Sequence, residues 1–427
     1  MKQNNTTKWH KLDNTANIFP VVANKRMPNV FRLTAVLKEE IDPVLLQQAL
    51  EETLPWFAAF GVRMKQGVFW SYLETNKAVP RVQEEKECPC RYIDPFQNRK
   101  FLFKLLYYQN RVHLEVFHVL SDGTGGMRFL KAICYKYIQL AHSEAFTKQQ
   151  LATTYGLVGA DNTDDGYMKN YVPRAGANFK EPTALHIKGE KLPVDETNVL
   201  SGLIHVEQLK AVCKAKEASV TEYITACIIY GVYTEYATET SRHPISIFIP
   251  VNLRRFFGTD TSLNFFSNIM VSVPVTGCGL QFENVLAQVK QQFAQKLTRE
   301  ALEKKLAYTA GTEKKLAVRL TPLPIKNMIM RFVFSRSRNG ATLTLSNLGV
   351  QAVEPIFEPY FEGFRFLLST NTKEPIKITA GSYKNQMALC FNSLVSENRL
   401  AKAVFRILAK EGISVTVESN GGFHEKM

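Results

Sequence analysis

The sequence predicts a mixed α/β protein made of two lobes of similar size. Stretches that alternate like β-strands and stretches with the spacing of amphipathic helices follow one another along the whole chain. The length of 427 residues corresponds to two or three domain-sized units. Residues 173–193 contain three prolines, two glycines and no clear period, which is typical of a connection between lobes. We therefore predict an N-terminal lobe at residues 1–180 and a C-terminal lobe at residues 181–427.

The N-terminal lobe is predicted to open with a strand at residues 31–37 and a helix after it. Asp42 followed by Pro43 favours a helix start, with Asp42 as the N-cap and Pro43 at the first helical position. Leucines then recur at helical spacing. Further strands are expected at residues 68–73, 104–108 and 112–120.

The C-terminal lobe is predicted to begin with two helices, at about residues 207–218 and 221–236, the second capped by Thr221. The apolar run inside the second helix is too short to span a bilayer, so we expect it to be buried in the core. Apolar residues alternate or cluster in the later strands, which we place at residues 245–249, 270–275, 341–345 and 387–391.

The composition is that of a globular protein, with 45% hydrophobic and 22% charged residues, which excludes disordered, collagen-like and disulfide-dense classes.

The positive charge of the chain is concentrated in one segment. The formal net charge is +14, and residues 284–338 hold twelve Lys or Arg against three acidic residues, a local net charge of +9. Leu297, Leu302, Leu306 and Leu316 interrupt these charges at helical spacing. Three uses remain open: binding the phosphates of an anionic cofactor, lying on anionic lipid, or forming a solvated face. No nucleic-acid partner is expected, because no zinc-finger spacing, aromatic RNA-binding signature or recognition helix occurs.

Neither the N-terminus nor the cysteines indicate export or metal binding. The first fifteen residues are polar and no apolar stretch precedes a cleavage site, so no secretory signal is expected. Of seven scattered cysteines only Cys88 and Cys90 lie close together, without the second pair or nearby histidine that would complete a zinc site. We expect reduced thiols, no bound metal and a cytoplasmic location.

Residues 112–130, VHLEVFHVLSDGTGGMRFL, are the most informative stretch. With a period of two, His118 is the only polar member of a row that includes Val112, Leu114 and Val116. Ser121-Asp122-Gly123 is then expected to form a turn, after which a helix begins. His118 thus stands at the C-terminal end of a strand, where α/β proteins place their sites. For the histidine alone, a hydrogen-bonded core residue would be the simpler interpretation.

The ordered set of motifs resembles the chloramphenicol-acetyltransferase-like superfamily, which includes peptide condensation domains, plant acyltransferases and alcohol acetyltransferases. The pattern His118-x-x-x-Asp122-Gly123 near residue 120 is similar to its signature. The opening strand and helix, the helix pair near 204–230, and the segments PVNLRR at 250–255, NFFSN at 264–268 and SNLG at 346–349 agree with it. The alcohol acetyltransferases are the most similar type. Many members have two adjacent histidines, of which the second is catalytic. Here Phe117 occupies the first position and His118 the second, so this difference argues against a condensation domain more than against an acyltransferase.

The resemblance implies two lobes with a tunnel between them, an acyl thioester entering one mouth and an acceptor the other. It implies that His118 is catalytic and that Asp122 is structural, paired with an arginine of the second lobe. Arg254 is the candidate partner and Arg255 the alternative. Gly123 is expected to allow a backbone conformation that a side chain would hinder. The candidates for contact with substrate or cofactor in the tunnel are Asn268, Ser346 and Asn347.

A histidine has an unperturbed pKa of about 6.5 and can accept a proton from an alcohol or amine near neutral pH. We predict transfer of an acyl group, in particular acetyl, from coenzyme A to an alcohol, with His118 as general base and no permanently bound cofactor. One alternative is N-acylation or peptide-type condensation with a carrier-protein thioester. Another is a non-catalytic basic protein that binds a membrane surface or a partner on the same fold. The expected partners are acyl-CoA, a small alcohol or amine, and a membrane surface in peripheral contact.

Overall fold

The computed structural model describes residues 9–146, 162–173, 181–275, 279–314 and 320–420. Strands and helices interleave in it as predicted, and the mixed α/β class is confirmed. The strands are β1 (Trp9–Lys11), β2 (Val30–Leu37), β3 (Val62–Gln66), β4 (Ser71–Thr75), β5 (Val82–Glu84), β6 (Phe103–Tyr108), β7 (Arg111–Phe117), β8 (Asn198–His205), β9 (Ile245–Asn252), β10 (Phe266–Val273), β11 (Leu343–Val350), β12 (Phe361–Leu368), β13 (Ile376–Tyr383), β14 (Gln386–Ser393) and β15 (Val415–Ser419). The helices are α1 (Phe19–Val22), α2 (Pro43–Thr53), α3 (Gly123–Ala141), α4 (Gly166–Lys169), α5 (Val206–Ala215), α6 (Val220–Tyr236), α7 (Arg254–Phe257), α8 (Phe282–Lys296), α9 (Arg299–Lys314), α10 (Leu323–Ser337) and α11 (Arg399–Lys410).

The N-terminal lobe is built on a five-stranded sheet in the order β12-β2-β7-β6-β5, in which only β5 and β6 of the paired strands run parallel. Helices α2 and α3 pack together, and α3 contacts β2 and β7. Aromatic rings fill the core: Phe129 of α3 stacks on Phe60 at 4.3 Å between ring centroids and meets Phe103 of β6 edge-on at 5.4 Å. Strands β1, β4 and β3 form a separate small sheet.

The C-terminal lobe is built on a seven-stranded mixed sheet in the order β10-β9-β11-β13-β14-β8-β15. Strand β11 is parallel to both β9 and β13, and the other pairs are antiparallel. Helix α6 contacts α8, α11 and β9, and its apolar residues are part of the lobe's core, as predicted. The central position of β11 matters for the site, because it carries the SNLG motif.

The lobes are not two continuous halves of the chain. Strand β12 lies in the predicted C-terminal range but pairs antiparallel with β2, so Phe364 stands opposite Ala35 in the N-terminal sheet. In the opposite direction, Tyr167 of α4 is buried in the C-terminal core and donates its hydroxyl hydrogen to the carbonyl oxygen of Phe266 at 2.8 Å. A boundary between the lobes at residue 180 therefore has two exceptions: β12 belongs to the N-terminal lobe and α4 packs in the C-terminal lobe. Residues 174–180 of the predicted connection lie outside the described residues.

Several predicted elements need correction. The strand expected at residues 68–73 begins only at Ser71, because a turn closed by a 2.9 Å hydrogen bond from the Gly67 N–H to the Trp70 carbonyl separates β3 from β4. The strand expected at residues 112–120 ends at Phe117. The strand expected at residues 270–275 begins four residues earlier, at Phe266.

Helix starts show how local chemistry positions the chain. The prediction for α2 is confirmed: Asp42 accepts hydrogen bonds from the amides of Val44 and Leu45. The predicted cap of α6 is wrong, because Ser219 rather than Thr221 is the N-cap. Ser219 forms a reciprocal capping box with Glu222, which satisfies two backbone donors at the helix start.

Candidate active site

His118 lies directly after β7 and lines a cavity between the lobes with a volume of about 1240 Å³. Its imidazole stacks on Phe19 of α1 at 4.8 Å between centroids and meets Phe31 of β2 edge-on at 4.9 Å. Phe266 of β10 lies 5.6 Å away on the C-terminal side. Three aromatic rings from both lobes thus orient the imidazole and exclude water from part of its surface.

The hydrogen bonds of His118 assign its tautomer. Asn264 donates from Nδ2 to the carboxylate of Asp13 at 2.9 Å and to the carbonyl oxygen of His118 at 3.0 Å. Its Oδ1 lies 3.1 Å from Nδ1 of His118 and must accept the hydrogen there, because the Nδ2 side of the amide already faces two acceptors. In the neutral imidazole the lone pair is therefore on Nε2, which hydrogen-bonds none of the described residues.

Burial changes the pKa of two groups in this network. The pKa of His118 is lowered from 6.5 mainly because desolvation disfavours the imidazolium, although the Asn264 hydrogen bond and the nearby Asp122 charge act in the opposite direction. The pKa of Asp13 is raised from 3.8 to about 7, again chiefly by burial, against hydrogen bonds from Asn264 and the Ala16 amide. A neutral His118 at neutral pH is the form that can accept a proton.

Asp122 begins helix α3 and ties it to the other lobe. One carboxylate oxygen caps the helix by accepting from the amides of Thr124 and Gly125. The other accepts from Nη1 of Arg254 at 2.7 Å and from the amide of Phe265 at 2.9 Å. The predicted ion pair with Arg254 is present, and its two side chains are only 9% and 8% exposed.

Arg254 holds the loop that carries Asn264. Its guanidinium donates to the carbonyl oxygens of Thr261 at 2.8 and 2.9 Å and of Leu263 at 2.7 Å. The alternative candidate, Arg255, makes no pair with Asp122 and lines the cavity instead. The ion pair therefore joins the strand end that bears His118 to the loop that fixes its tautomer.

The reason predicted for Gly123 is wrong in detail. Gly123 is the first residue of α3 and does not have a positive φ, so its backbone conformation is one that any residue can adopt. Its Cβ would instead lie 3.1 Å from the end of the Leu348 side chain. The more restrictive position is Gly125, where a Cβ would collide with the Ser262 carbonyl oxygen and the Ser121 hydroxyl.

The other predicted site residues line the same cavity as His118. They are Asn268, Ser346 and Asn347. Asn268 accepts hydrogen bonds from Nζ of Lys305, at 2.9 Å on its backbone oxygen and 2.5 Å on Oδ1. Asn347 donates to the Thr221 hydroxyl at 2.9 Å and accepts from the Gly349 amide at 2.8 Å. The two asparagine side chains are therefore oriented by neighbours before any ligand binds.

The basic segment at residues 284–338 corresponds to α8, α9 and α10. Within it Lys305 reaches the cavity, where burial lowers its pKa. Leu302 and Leu306 are buried on a core-facing side of α9, whereas Leu297, which follows α8, is 36% exposed. Arg299 and Lys304 form pairs with Glu303 and Glu300 along the same helix. Lys315, Leu316 and Arg319 lie outside the described residues.

Sequence reasoning missed Asn264 as a site residue, although its segment NFFSN was singled out, and it missed Asp13 altogether. Asp13 and Asn264 are 251 positions apart, so no spacing could indicate their contact. The only local signal is an acidic residue followed by an apolar stretch near the N-terminus, which is common in any sequence. The tertiary structure alone assembles His118, Asn264 and Asp13.

The fold is similar to that of solved condensation-domain and O-acetyltransferase structures, so the two-lobed architecture implied by the resemblance in the sequence is confirmed. Residues 203–358 also match the alcohol acetyltransferase family by sequence. The matched segment includes Arg254, Asn264, Asn268 and the SNLG motif but not His118. No curated protein matches the chain by sequence.

Three solved structures illustrate the likeness. The first condensation domain of the calcium-dependent antibiotic synthetase has a TM-score of 0.61 and 13% identity, with 95% of this chain and 96% of that chain covered. Trichothecene 15-O-acetyltransferase from Fusarium sporotrichioides has a TM-score of 0.59 and 10% identity over 96% and 97%. Polyketide synthase associated protein 5 from Mycobacterium tuberculosis has a TM-score of 0.58 and 13% identity over 94% and 97%. At these identities the likeness concerns the fold.

The described residues hold no helix with both the length and the apolar character that crossing a bilayer requires.

Proposed function

We propose that this protein transfers an acyl group, acetyl in the first instance, from coenzyme A to an alcohol, with His118 as the general base. The observation that supports this most strongly is the arrangement of His118, whose Nδ1 is bound by Asn264 while Nε2 is left for a ligand in the cavity. The alcohol acetyltransferase match supports an alcohol acceptor. A similar solved structure, a mutant of the starter condensation domain of rhizomide synthetase, is a complex with C8-CoA and Leu-SNAC, which supports an acyl-CoA donor.

In the proposed reaction, Nε2 of His118 accepts the hydroxyl proton of the acceptor as its oxygen attacks the thioester carbonyl carbon. The tetrahedral intermediate then expels the coenzyme A thiolate, which takes the proton from Nε2, so that the ester and the free thiol are the products. Asn264 keeps Nδ1 protonated throughout and so keeps the lone pair on Nε2. Such general base catalysis is worth about 10²–10⁴ in rate.

The remaining site residues have supporting roles in this proposal. Asp122 and Arg254 position the strand end and the Asn264 loop rather than touching substrate. Asn268, Ser346 and Asn347 contact the acyl donor or the acceptor from the C-terminal wall of the cavity. Because Lys305 already binds Asn268, it presents a positive charge beside that contact.

Thiol release from acetyl-CoA, measured with a panel of alcohols and amines, tests the proposal. His118→Ala should lower kcat/KM with the best alcohol by about 100-fold or more. His205→Ala is the matched control, because His205 is exposed at the end of β8 and does not line the cavity. It should retain wild-type turnover.

The same panel separates the proposal from its alternatives. Turnover with amines but not alcohols would replace ester formation by N-acylation. Turnover of a carrier-protein thioester without turnover of acetyl-CoA would favour peptide-type condensation. If His118→Ala keeps its turnover within about threefold of wild type, His118 is not the base. If wild type releases no thiol with any acceptor or thioester, the non-catalytic alternative is favoured.

A further inference from the structure

Helix α10 turns an apolar face toward solvent. Ile325, Met328, Ile329, Phe332 and Val333, here called the α10 face, are between 49% and 66% exposed. At 3.6 residues per turn these positions fall within about 140° of the helix circumference. A surface helix normally directs such a stripe at the core, so the orientation of the α10 face needs an explanation.

The opposite side of α10 is already fixed to the protein. The amide of Leu323 donates to the carbonyl oxygen of Val68 at 2.8 Å. The ammonium of Lys326, which is 5% exposed, lies 3.2 Å from the centroid of the Trp70 ring and donates to the carbonyl oxygen of Phe69. Phe334 lines the cavity that contains His118. The helix is thus held by its inner side, and the α10 face is not a consequence of loose docking.

Further exposed apolar residues lie near the start of the helix. Val68 and Phe69, in the turn that binds the start of α10, are 71% and 43% exposed, and Leu320 just before the helix is 63% exposed. Single exposed apolar residues are ordinary on protein surfaces, whereas a contiguous group marks an interaction site.

Helix α10 and the turn after α1 carry positive charges near the α10 face. Arg331 and Arg336 on the helix are exposed, and no Asp or Glu occurs between residues 314 and 353. Arg331 also donates to the carbonyl oxygen of Val21 in α1 at 2.8 Å, which brings the exposed Lys25 and Arg26 of the following turn to the same region. No acidic residue occurs between residues 14 and 38 either.

We propose that the α10 face docks on an anionic membrane surface, with its apolar side chains among the acyl chains and the surrounding cations at the lipid headgroups. An apolar helix face flanked by Lys and Arg has the properties of a helix that lies in the membrane interface. The charge argues against a second copy of the chain, because a symmetric contact through this face would bring the same cations together.

Docking in this orientation has a structural consequence for the site. Helix α10 separates the lipid surface from the cavity, which it lines through Phe334. It also packs on α1, whose Phe19 stacks on His118. The cavity would therefore be held at the membrane surface. The inference goes beyond the proposed acyl transfer and does not depend on it.

Flotation of the full chain with vesicles tests this inference, using phosphatidylcholine alone and an equimolar mixture of phosphatidylcholine and phosphatidylserine. We expect binding to the mixture that decreases with added salt, and weaker binding to phosphatidylcholine. Ile329→Asp should weaken binding to the mixture by about tenfold or more. Val44→Asp is the matched control, since Val44 is 73% exposed on helix α2, and it should bind like wild type.

The charge contribution has its own pair of variants. Arg336→Gln should weaken binding to the mixture about fivefold and reduce its salt dependence, whereas Arg406→Gln, on the exposed side of α11, should not. His118→Ala should bind vesicles like wild type, so a failure of the acyl-transfer proposal is distinguishable from a failure of this one.

Three results would overturn the inference: no binding to the mixture at low salt, equal losses in Ile329→Asp and Val44→Asp, or self-association that Ile329→Asp abolishes without any vesicle binding. The last result would assign the face to a second copy of the chain. Melting curves of each variant check its fold, and the substituted side chains are exposed, so the variants are expected to fold.

Discussion

Replacing Asp122 by Asn should destabilise the protein far more than the small change in shape suggests. Each oxygen of this carboxylate accepts two hydrogen bonds: one from the amides of Thr124 and Gly125, the other from Arg254 and the amide of Phe265. An Asn side chain must place its NH₂ group against one of these donor pairs. Neither orientation of the amide is satisfied, so the substitution leaves buried donors without an acceptor.

The expected magnitude follows from the burial of the pair. Both side chains are less than 10% exposed, so solvent screens their interaction little. Loss of the carboxylate charge leaves the Arg254 guanidinium buried without a counter-charge, which costs about 3–5 kcal/mol in unfolding free energy. The loss of the hydrogen bonds is part of that cost rather than an addition to it. Thiol release should fall as well, because the Asn264 loop is held by the same guanidinium.

Urea unfolding followed by circular dichroism measures the effect. Asp42→Asn is the matched control: Asp42 also caps a helix, but it is exposed and pairs with no arginine of the described residues, and Asn caps as well as Asp. It should cost less than about 0.5 kcal/mol. Arg254→Gln and the double variant complete a cycle, for which we expect a coupling of about 1.5 kcal/mol or more. A loss for Asp122→Asn no larger than for Asp42→Asn, with full activity, would refute the reasoning.

Three other predictions concern the site. The acid limb of the pH profile of kcat/KM should have a pKa below 6.5, since burial lowers the pKa of His118 and only the neutral imidazole accepts a proton; a limb at or above 6.5 would contradict this. Because the pKa of Asp13 rises from 3.8 to about 7 on folding, the folded state binds the extra proton and stability should fall as pH rises through that interval. Urea unfolding at several pH values should show this slope in wild type and not in Asp13→Asn. Gly125→Ala should cost about 1–3 kcal/mol or more, because its Cβ meets a backbone oxygen, and Gly123→Ala less than 1.5 kcal/mol, since only a side-chain end must move; equal losses of melting temperature would oppose this.

Much of the site could be predicted because its chemistry is local. The sequence predicts Asp42 as a helix cap, which binds amides two and three residues away, and Asp122 caps α3 in the same way although the sequence pattern places it only in a turn. His118 lies at a strand end as the sequence indicated, although the apolar pattern extended the strand to residue 120 and the structure ends it at Phe117. The motif resemblance also indicated the pairing of Asp122 with Arg254, which no local pattern contains.

Predictions failed where two nearby residues could each cap a helix, or where the packing of a distant side chain determines which residue a position requires. Ser219 and Thr221 are both acceptable caps, and the reciprocal bond with Glu222 selects Ser219. Gly123 was expected to be needed for its backbone, but Leu348 from β11 in the other lobe is what approaches it.

The sequence by itself determined the fold class, the position of His118 at a strand end and the amphipathic character of the basic helices, since each depends on the order of neighbouring residues. Only the tertiary structure decided that Asn264 and Asp13 select the tautomer of His118, and that β12 completes the N-terminal sheet. It also decided that the apolar side of α10 points outward. The physical reason is that the sequence period shows which residues of a helix or strand share a face. It does not show whether that face packs on the core or turns outward, because this depends on which side of the element contacts the rest of the protein.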